Sequence, residues 1–224
     1  MKQGIHEQRM RVFQDAGLYL VVSPGRLSCE RTASEIVIAA LKGGCRLIQL
    51  REKRLPIPDL VRLAREIRGL TMERGALLII DDRIDVALAV EADGVHLGQD
   101  DFPVSDARRL APDLIIGASS HSEAEALEAQ RQGASYVNIG PLFHTTTKGW
   151  AGEFLGLDGL RRIAPKLSIP FTVMGGIKQS HIASLAEAGA RTLAVVTAVT
   201  SAPDPEQATR EFISALRAAQ RERQ

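Results

Sequence analysis

Short apolar segments alternate with longer amphipathic segments along most of the chain. The apolar segments are only a few residues long and rich in Val, Ile and Leu, which is typical of buried strands rather than of independent helices. Eight of them are predicted as strands, at residues 18–22, 47–50, 77–80, 94–97, 114–116, 136–139, 171–174 and 192–196. Helices are predicted between and after them, at residues 33–42, 57–74, 84–91, 104–110, 122–132, 179–188 and 205–221.

The predicted helices end in a recurring way. Gly75, Gly133 and Gly189 each precede an alanine at the junction with the next strand, and glycine suits the left-handed conformation that ends many helices. Eight strand–helix units in 224 residues, with no linker between them, predict an α/β fold of one (β/α)₈ TIM barrel. We expect a single domain over residues 1–224, with residues 1–16 as an N-terminal extension. An open doubly wound sheet is the alternative, but its usual GxGxxG turn does not follow the first strand.

The composition limits the classes of function. Apolar residues make up 45% of the chain, charged residues make up 25%, and the net charge is +1. This balance does not predict a nucleic-acid surface, and no apolar segment approaches the roughly 20 residues of a membrane helix. The N-terminus lacks the apolar core of a signal peptide, and Cys29 and Cys45 form neither a metal-binding spacing nor a disulfide framework. We therefore expect a cytoplasmic protein with no nucleic-acid or membrane partner.

Cationic side chains follow the second predicted strand. Because side chains alternate along an extended chain, Gln49, Arg51 and Lys53 are expected on the same side. The carboxyl ends of the strands carry the chemistry of a TIM barrel. Two cations and an amide at such an end favour anion binding over the alternative of a solvated charged turn.

Pairs of acidic residues follow the third and fourth strands. Asp81 and Asp82 form one pair, and Asp100 and Asp101 form the other. Mg²⁺ is commonly held by one or two carboxylates together with substrate phosphates. The alternative is that Asp82 and Asp101 cap the helices that follow. We favour metal binding because the neighbouring cations indicate a phosphorylated ligand.

Polar residues also follow the fifth and sixth strands. Ser119 or Ser120 could hold a ligand, and His121 is either an acid–base group or a structural residue. The loop after the sixth strand carries three threonines, at 145–147, and Lys148. Hydroxyl groups and an ammonium group beyond a buried strand favour anion binding, although a solvated surface loop has a similar composition.

Small residues follow the last two strands. Gly175 and Gly176 allow a backbone to approach an anion closely. In TIM barrels, the loops after strands seven and eight commonly bind phosphate through backbone N–H groups. The cations near strand two predict one anion site. The backbone at Gly176, Val196 and Thr197 predicts a second, separate anion site. Two anion sites at one barrel mouth suggest that two phosphorylated substrates are joined, or that a diphosphate leaves.

Several of these motifs together resemble the thiamine phosphate synthase family. The resemblance extends from residue 18 to about residue 215. The GQDD motif and the GPLFHTTTK motif are specific when they are taken together. The motifs are DDR at 81–83, GASSH at 117–121, GGI at 175–177, GQDD within ADGVHLGQDD at 92–101, GPLFHTTTK at 140–148, and QLREK at 49–53. Taken alone, GGI is weak evidence.

The resemblance implies a reaction and a set of site residues. The family joins 4-amino-5-hydroxymethyl-2-methylpyrimidine diphosphate to hydroxyethylthiazole phosphate, releasing pyrophosphate in a dissociative, Mg²⁺-dependent substitution. By position, the residues implied are Arg51, Lys53 and Lys148 for the diphosphate, Asp82 and Asp101 for Mg²⁺, Gln49 for the pyrimidine, Ser119 for pyrophosphate or pyrimidine, and Thr145, Thr147, Gly176, Val196 and Thr197 for the thiazole phosphate. The partners expected are small phosphorylated molecules, and a homo-oligomer is compatible with the sequence.

The chain departs from the family pattern at a few positions. Asp81 stands where the family usually has an asparagine that contacts the diphosphate, and a carboxylate there would repel pyrophosphate unless it is neutralised. The first strand ends in Val-Ser-Pro rather than in a Thr-Asp pair, and the proline-containing stretch usual after Lys148 is missing. Two alternatives follow: a thiazole tautomerase-like isomerase that uses His121 as its acid–base group, and a barrel that binds thiamine phosphates without turnover.

Overall fold

Eight parallel strands close into a barrel in the computed structural model, which describes residues 4–23, 31–145 and 152–222. The strands follow one another around the barrel in chain order, and β1 pairs with β8 through Leu18 and Leu193 to close it. The fold prediction is therefore confirmed. The strands are β1 Leu18–Val22, β2 Leu47–Leu50, β3 Leu77–Asp81, β4 Gly94–Leu97, β5 Ile115–Ser120, β6 Tyr136–Ile139, β7 Phe171–Met174 and β8 Thr192–Val195.

Helices surround the barrel. They are α1 Ile5–Gln14, α2 Ala33–Lys42, α3 Ile57–Glu73, α4 Ile84–Ala89, α5 Val104–Leu110, α6 Glu123–Arg131, α7 Gly156–Ile163, α8 Ile182–Glu187, α9 Thr197–Thr200 and α10 Pro205–Arg221. The helix predicted at 179–188 begins as a 3₁₀ turn, Gln179–His181. No helix in the described ranges is long and apolar enough to cross a membrane.

Local sequence explains where many helices begin and end. Thr32 accepts a hydrogen bond from the Glu35 N–H and forms a capping box at the start of α2. The glycines predicted to end helices have positive φ, +58° at Gly75, +91° at Gly133 and +93° at Gly189. That conformation costs glycine little, so these three positions end their helices as predicted.

Strand β5 is longer than the sequence analysis predicted. It continues through Gly117 to Ser120 in parallel pairing with β6, whereas the prediction stopped at residue 116. The small residues at 117 and 118 weaken the apolar pattern. An added Cβ at Gly117 would lie 2.2 Å from Cζ of Tyr136, so only glycine fits beside that ring. The extension makes Ser119 a strand residue rather than a loop residue.

Two apolar clusters form the core. The larger cluster lies between the outer face of the strands and the helices, and the smaller one includes inward-facing strand residues such as Tyr19, Ile79 and Tyr136. Phe13 of α1 belongs to the smaller cluster, with its ring centroid 4.4 Å from that of Tyr136. Helix α1 therefore packs against the amino-terminal side of the barrel interior.

Buried charge ties helix α1 to this side of the barrel. Asp93, which is buried, accepts hydrogen bonds from Arg9 of α1 at 3.2 Å and from Arg68 of α3 at 2.6 Å. It also accepts the Leu78 N–H at 2.9 Å. Hydrophobic periodicity predicts no helix at residues 5–14, and in the structure Phe13 is the only residue of α1 that is fully buried. Its polar residues make specific contacts that hydrophobic periodicity does not reveal.

Candidate functional site

A cavity opens at the carboxyl ends of the strands, where the sequence analysis placed the ligand-binding residues. It reaches from β5 through β8 to β1 and β2. Six predicted site residues line it: Arg51, Ser119, Thr145, Gly176, Val196 and Thr197. Thr147 and Lys148 lie outside the described residues. The carboxyl-end location matches the habitual position of active sites in this architecture.

A charged cluster adjoins the cavity beside β2, β3 and β4. Arg51 Nε lies 3.5 Å from Asp81 Oδ2, and Lys53 Nζ lies 3.3 Å from the same oxygen. Lys53 also forms an ion pair with Asp82. Burial alone would lower the pKa of Lys53, but the hydrogen bond to Asp82 and the charge of Asp81 outweigh it and raise that pKa. Lys53 is therefore held as a cation at the barrel mouth.

Asp81 is the most buried carboxylate of this cluster. Burial, reinforced by the negative charge of Asp82, raises the pKa of Asp81 to about 6 despite the opposing effect of Lys53 and Arg51. Its Oδ2 is buried and makes no aligned hydrogen bond, although both cations lie within ion-pair distance. Charge attraction alone therefore compensates that oxygen incompletely.

Asp82 and Asp101 lie together in the cluster. Burial would raise the pKa of Asp82, but its hydrogen bonds with Lys53 and Asp101 lower it. Burial and the contact with Asp82 raise the pKa of Asp101, which also accepts the Gly98 N–H at 2.7 Å. Two acidic side chains in contact are the arrangement that a divalent cation stabilises.

The capping alternative for these two aspartates is wrong. Helix α4 has Arg83 at its N-cap and α5 has Pro103, and neither helix has a side-chain capping bond. Asp82 instead has a φ of +59°, uncommon for a residue with a side chain. Its N–H donates to the His96 carbonyl at 2.8 Å, which joins the ends of β3 and β4.

A chain of hydrogen bonds crosses the barrel interior below the mouth. Gln49 Nε2 donates to the Tyr19 hydroxyl at 2.7 Å, and that hydroxyl lies 2.8 Å from the Tyr136 hydroxyl. The Tyr136 oxygen lies 2.9 Å from His96 Nδ1, and His96 Nε2 lies 2.9 Å from Ser119 Oγ. The predicted site residues Gln49 and Ser119 are thus the two ends of one buried chain.

The three middle members of this chain, Tyr19, Tyr136 and His96, were not among the predicted site residues. Tyr19 and Tyr136 occur within apolar segments and were interpreted only as strand residues. His96 was noted only within a motif. A polar residue at an inward position of a buried strand is the clue that identifies such residues, and His96 alternates with apolar neighbours on β4.

His121 also lines the cavity. Its Nδ1 lies 3.0 Å from Glu125 Oε2, and Glu125 also accepts the His121 N–H at 2.7 Å. Glu125 therefore fixes the orientation of the imidazole ring. A histidine oriented by a carboxylate at a cavity wall can transfer protons, so the structure leaves both interpretations of His121 in place.

The glycine pair after β7 brings two loops together. Gly175 and Gly176 have φ values of +102° and +61°. An added Cβ at Gly176 would lie 2.3 Å from the His144 carbonyl oxygen, and one at Gly175 would lie 2.6 Å from Cβ of Pro141. These glycines therefore let the segment after β6 pack against the end of β7, beside Thr145.

Residues 18–199 match the family model described as thiamine monophosphate synthase. The chain belongs to the thiamine monophosphate synthase family. The matched segment spans all eight strands, so membership covers the complete barrel.

Individual members of the thiamine monophosphate synthase family show the extent of the similarity. A thiamine-phosphate synthase of Chloroflexus aurantiacus is 47% identical over 198 residues, covering 88% of this chain and 91% of that protein. One from a Roseiflexus species is 44% identical over 208 residues, covering 92% and 88%. The structure of a thiamine phosphate pyrophosphorylase from Pyrococcus furiosus matches with a TM-score of 0.84 at 39% identity, covering 92% of this chain and 98% of that one.

Proposed function

We propose that this protein is a thiamine phosphate synthase, a transferase that joins hydroxymethylpyrimidine diphosphate to hydroxyethylthiazole phosphate. The products are thiamine phosphate and pyrophosphate. The observation that carries the proposal is the charged cluster of Arg51, Lys53, Asp82 and Asp101 beside a cavity with a glycine-containing wall. The cluster suits a diphosphate with a metal ion, and the wall suits a second phosphate. The similarity to named synthases supports the same assignment.

The side chains of the cluster fit Mg²⁺. The described residues contain no group of three or more His, Cys, Asp or Glu side chains arranged for a metal. Mg²⁺ needs fewer protein ligands than that, because it retains water and binds substrate phosphate. We assign Asp82 and Asp101 as the residues that would hold it. When bound, Mg²⁺ would neutralise charge that develops on the diphosphate.

The cations of the site act on the leaving group in this proposal. Bond breaking places negative charge on the diphosphate oxygens, and fixed positive charges stabilise that charge without reorganising. Arg51 and Lys53 already lie together in the structure, and Lys148 is the third member by sequence position. No general base is required, since the thiazole nitrogen attacks with its own lone pair.

The other half of the cavity holds the acceptor substrate in this proposal. Gly176, Val196 and Thr197 present backbone at the cavity wall, beside Thr145. We assign these residues and Thr147 to the thiazole phosphate. Holding two substrates end to end supplies much of the remaining rate enhancement by proximity.

The assay is direct. The protein is incubated with both substrates and Mg²⁺, and thiamine phosphate and pyrophosphate are measured. Arg51→Ala should abolish most activity. The exposed neighbour Arg54 provides a matched control, because Arg54→Ala also removes one positive charge but should leave the activity unchanged. Binding of both substrates by calorimetry without product would refute the synthase and indicate a binding protein.

One observation favours a second candidate, a thiazole tautomerase-like isomerase. Glu125 orients His121 at the cavity wall, as an acid–base catalyst would require. Such an isomerase has no need of the diphosphate cluster formed by Arg51, Lys53, Asp82 and Asp101, so the synthase remains the better-supported function. Isomerisation of the thiazole carboxylate phosphate that His121→Asn abolishes would favour the second candidate.

A further inference from the structure

The buried chain of hydrogen bonds from Gln49 to Ser119 joins side chains from five strands. Its members, in order, are Gln49 of β2, Tyr19 of β1, Tyr136 of β6, His96 of β4 and Ser119 of β5. The first four are at most 4% exposed. Only Ser119 lines the cavity. A contact made by Ser119 is therefore connected to groups deep inside the barrel.

The chain has a direction that follows from counting protons. Burial raises the pKa of Tyr19 and of Tyr136, so each hydroxyl keeps its single proton. Gln49 donates its amide N–H to the Tyr19 oxygen. The Tyr19 proton is then given to Tyr136, and the Tyr136 proton is given to His96. If Tyr136 donated to Tyr19 instead, no described contact would accept the Tyr19 proton in this fully buried site.

The direction determines the tautomer of His96. Because Nδ1 accepts the Tyr136 proton, the ring proton is on Nε2. Nε2 then donates to Ser119 Oγ, 2.9 Å away. The Ser119 oxygen accepts this bond with one of its lone pairs, and the Ser119 proton is available to a ligand in the cavity.

We propose that His96 is a positioning residue that makes Ser119 a hydrogen-bond donor toward the diphosphate-bearing substrate. The Gln49 amide sets the direction of the hydrogen bonds along the chain from Gln49 to Ser119. The identity of that substrate rests on the proposed function. The arrangement has a chemical consequence, because Ser119 can offer its proton to an anionic oxygen of the substrate. Tyr19 and Tyr136 carry the direction across the barrel without touching the ligand.

The tautomer can be measured without any turnover. In protein with ¹⁵N-labelled histidine, long-range ¹H–¹⁵N correlation spectra separate a ring nitrogen that carries a proton from one that does not, and His96→Gln identifies the signals of His96. The expected result is a proton on Nε2 alone. A proton on Nδ1, with or without one on Nε2, overturns the proposal. Because neither substrate is needed, this result is independent of whether the protein proves to be a synthase.

Kinetic coupling tests whether His96 acts through Ser119. His96→Asn removes the donor to Ser119 and should lower kcat on the order of tenfold, the effect of one ordinary hydrogen bond. His96→Gln, whose amide nitrogen extends toward the Nε2 position, should recover part of that loss. In a Ser119→Ala background, His96→Asn should have little further effect, because the two changes remove the same interaction. Losses that multiply independently would show a merely structural role and overturn the proposal.

A control separates this effect from general loss of stability. Thr209 on α10 is fully buried and donates to the Pro205 carbonyl at 2.7 Å, away from the cavity. Thr209→Val removes that buried hydrogen bond while keeping the side-chain shape. It should leave kcat unchanged, and a tenfold fall in kcat from this variant would remove the basis for assigning the His96 effect to the site.

Discussion

Replacing Asp81 by asparagine is expected to stabilise the ligand-free protein at neutral pH. Asp81 is buried, its Oδ2 has no aligned hydrogen bond, and burial raises its pKa to about 6. The direction of that shift shows that the cost of burial and the repulsion from Asp82 together exceed the attraction of Arg51 and Lys53 for the ionised form. Asparagine removes the buried charge and keeps the shape, so the cost of burial disappears with it.

The magnitude follows from the shift. A rise from the ordinary 3.8 to about 6 corresponds to about 3 kcal/mol at 1.36 kcal/mol per pKa unit. Part of this shift comes from the negative charge of Asp82, so we expect Asp81→Asn to raise the free energy of unfolding by about 1–3 kcal/mol. Because the folded-state pKa is the higher one, the penalty on the wild type is absent below the unfolded pKa and complete above about pH 6. The gain should therefore shrink as the pH falls toward 4.

Urea denaturation in EDTA, without substrates, measures this effect at about pH 8 and about pH 4.5. Asp93 provides the matched comparison, because it is also buried between two cations but accepts aligned hydrogen bonds from Arg9, Arg68 and Leu78. Asp93→Asn should destabilise the protein by about 3 kcal/mol. If Asp81→Asn also destabilises at about pH 8, or stabilises equally at both pH values, the reasoning about Asp81 is refuted.

Three further changes should have effects of different kinds. Lys148→Ala should lower kcat by about 10²–10³-fold with a smaller change in the KM of the diphosphate substrate, because charge on the leaving group is greatest in the transition state. Steady-state kinetics would show an unchanged kcat if Lys148 is a solvated surface residue. Asp101→Ala should weaken Mg²⁺ binding in the presence of diphosphate, and calorimetry showing tight Mg²⁺ binding to the ligand-free variant would contradict the assignment. Gly117→Ala should destabilise the protein by about 3 kcal/mol or more in urea denaturation, since the added Cβ meets the Tyr136 ring at 2.2 Å.

Strand positions were predictable because eight buried parallel strands produce short, apolar segments that differ from the amphipathic helices around them. The same pattern located Arg51, Ser119 and Gly176, since each stands at or just past the end of an apolar segment. Helix α1 was not predicted, because many of its contacts are polar and do not produce a hydrophobic periodicity in the sequence. Arg9 reaches Asp93, which is 84 positions away in the chain.

Contacts across the barrel could not be predicted from the sequence, for a physical reason. Alternation indicates which side chains point inward, but closure of the barrel decides which inward side chains meet. Tyr19 and Tyr136 are separated by 117 positions and come from strands that are not neighbours, yet their hydroxyls lie 2.8 Å apart. Gln49 and Ser119 could be recognised separately as site residues, whereas their connection required the closed fold.

Buried polar groups are hydrogen-bonded to one another in the barrel interior, whereas one buried oxygen at the barrel mouth is not. Within the described chain, the buried side-chain atoms without a hydrogen bond are Arg68 Nε, on α3, and Asp81 Oδ2, at the mouth. The interior polar groups from Gln49 to Ser119 satisfy one another, so ligand binding need not reorganise them. The incompletely compensated oxygen of Asp81 instead lies among the cations at which we propose that a diphosphate and its metal ion bind. A bound metal ion would neutralise this oxygen, which would otherwise repel a diphosphate, while the interior holds Ser119 in a fixed orientation.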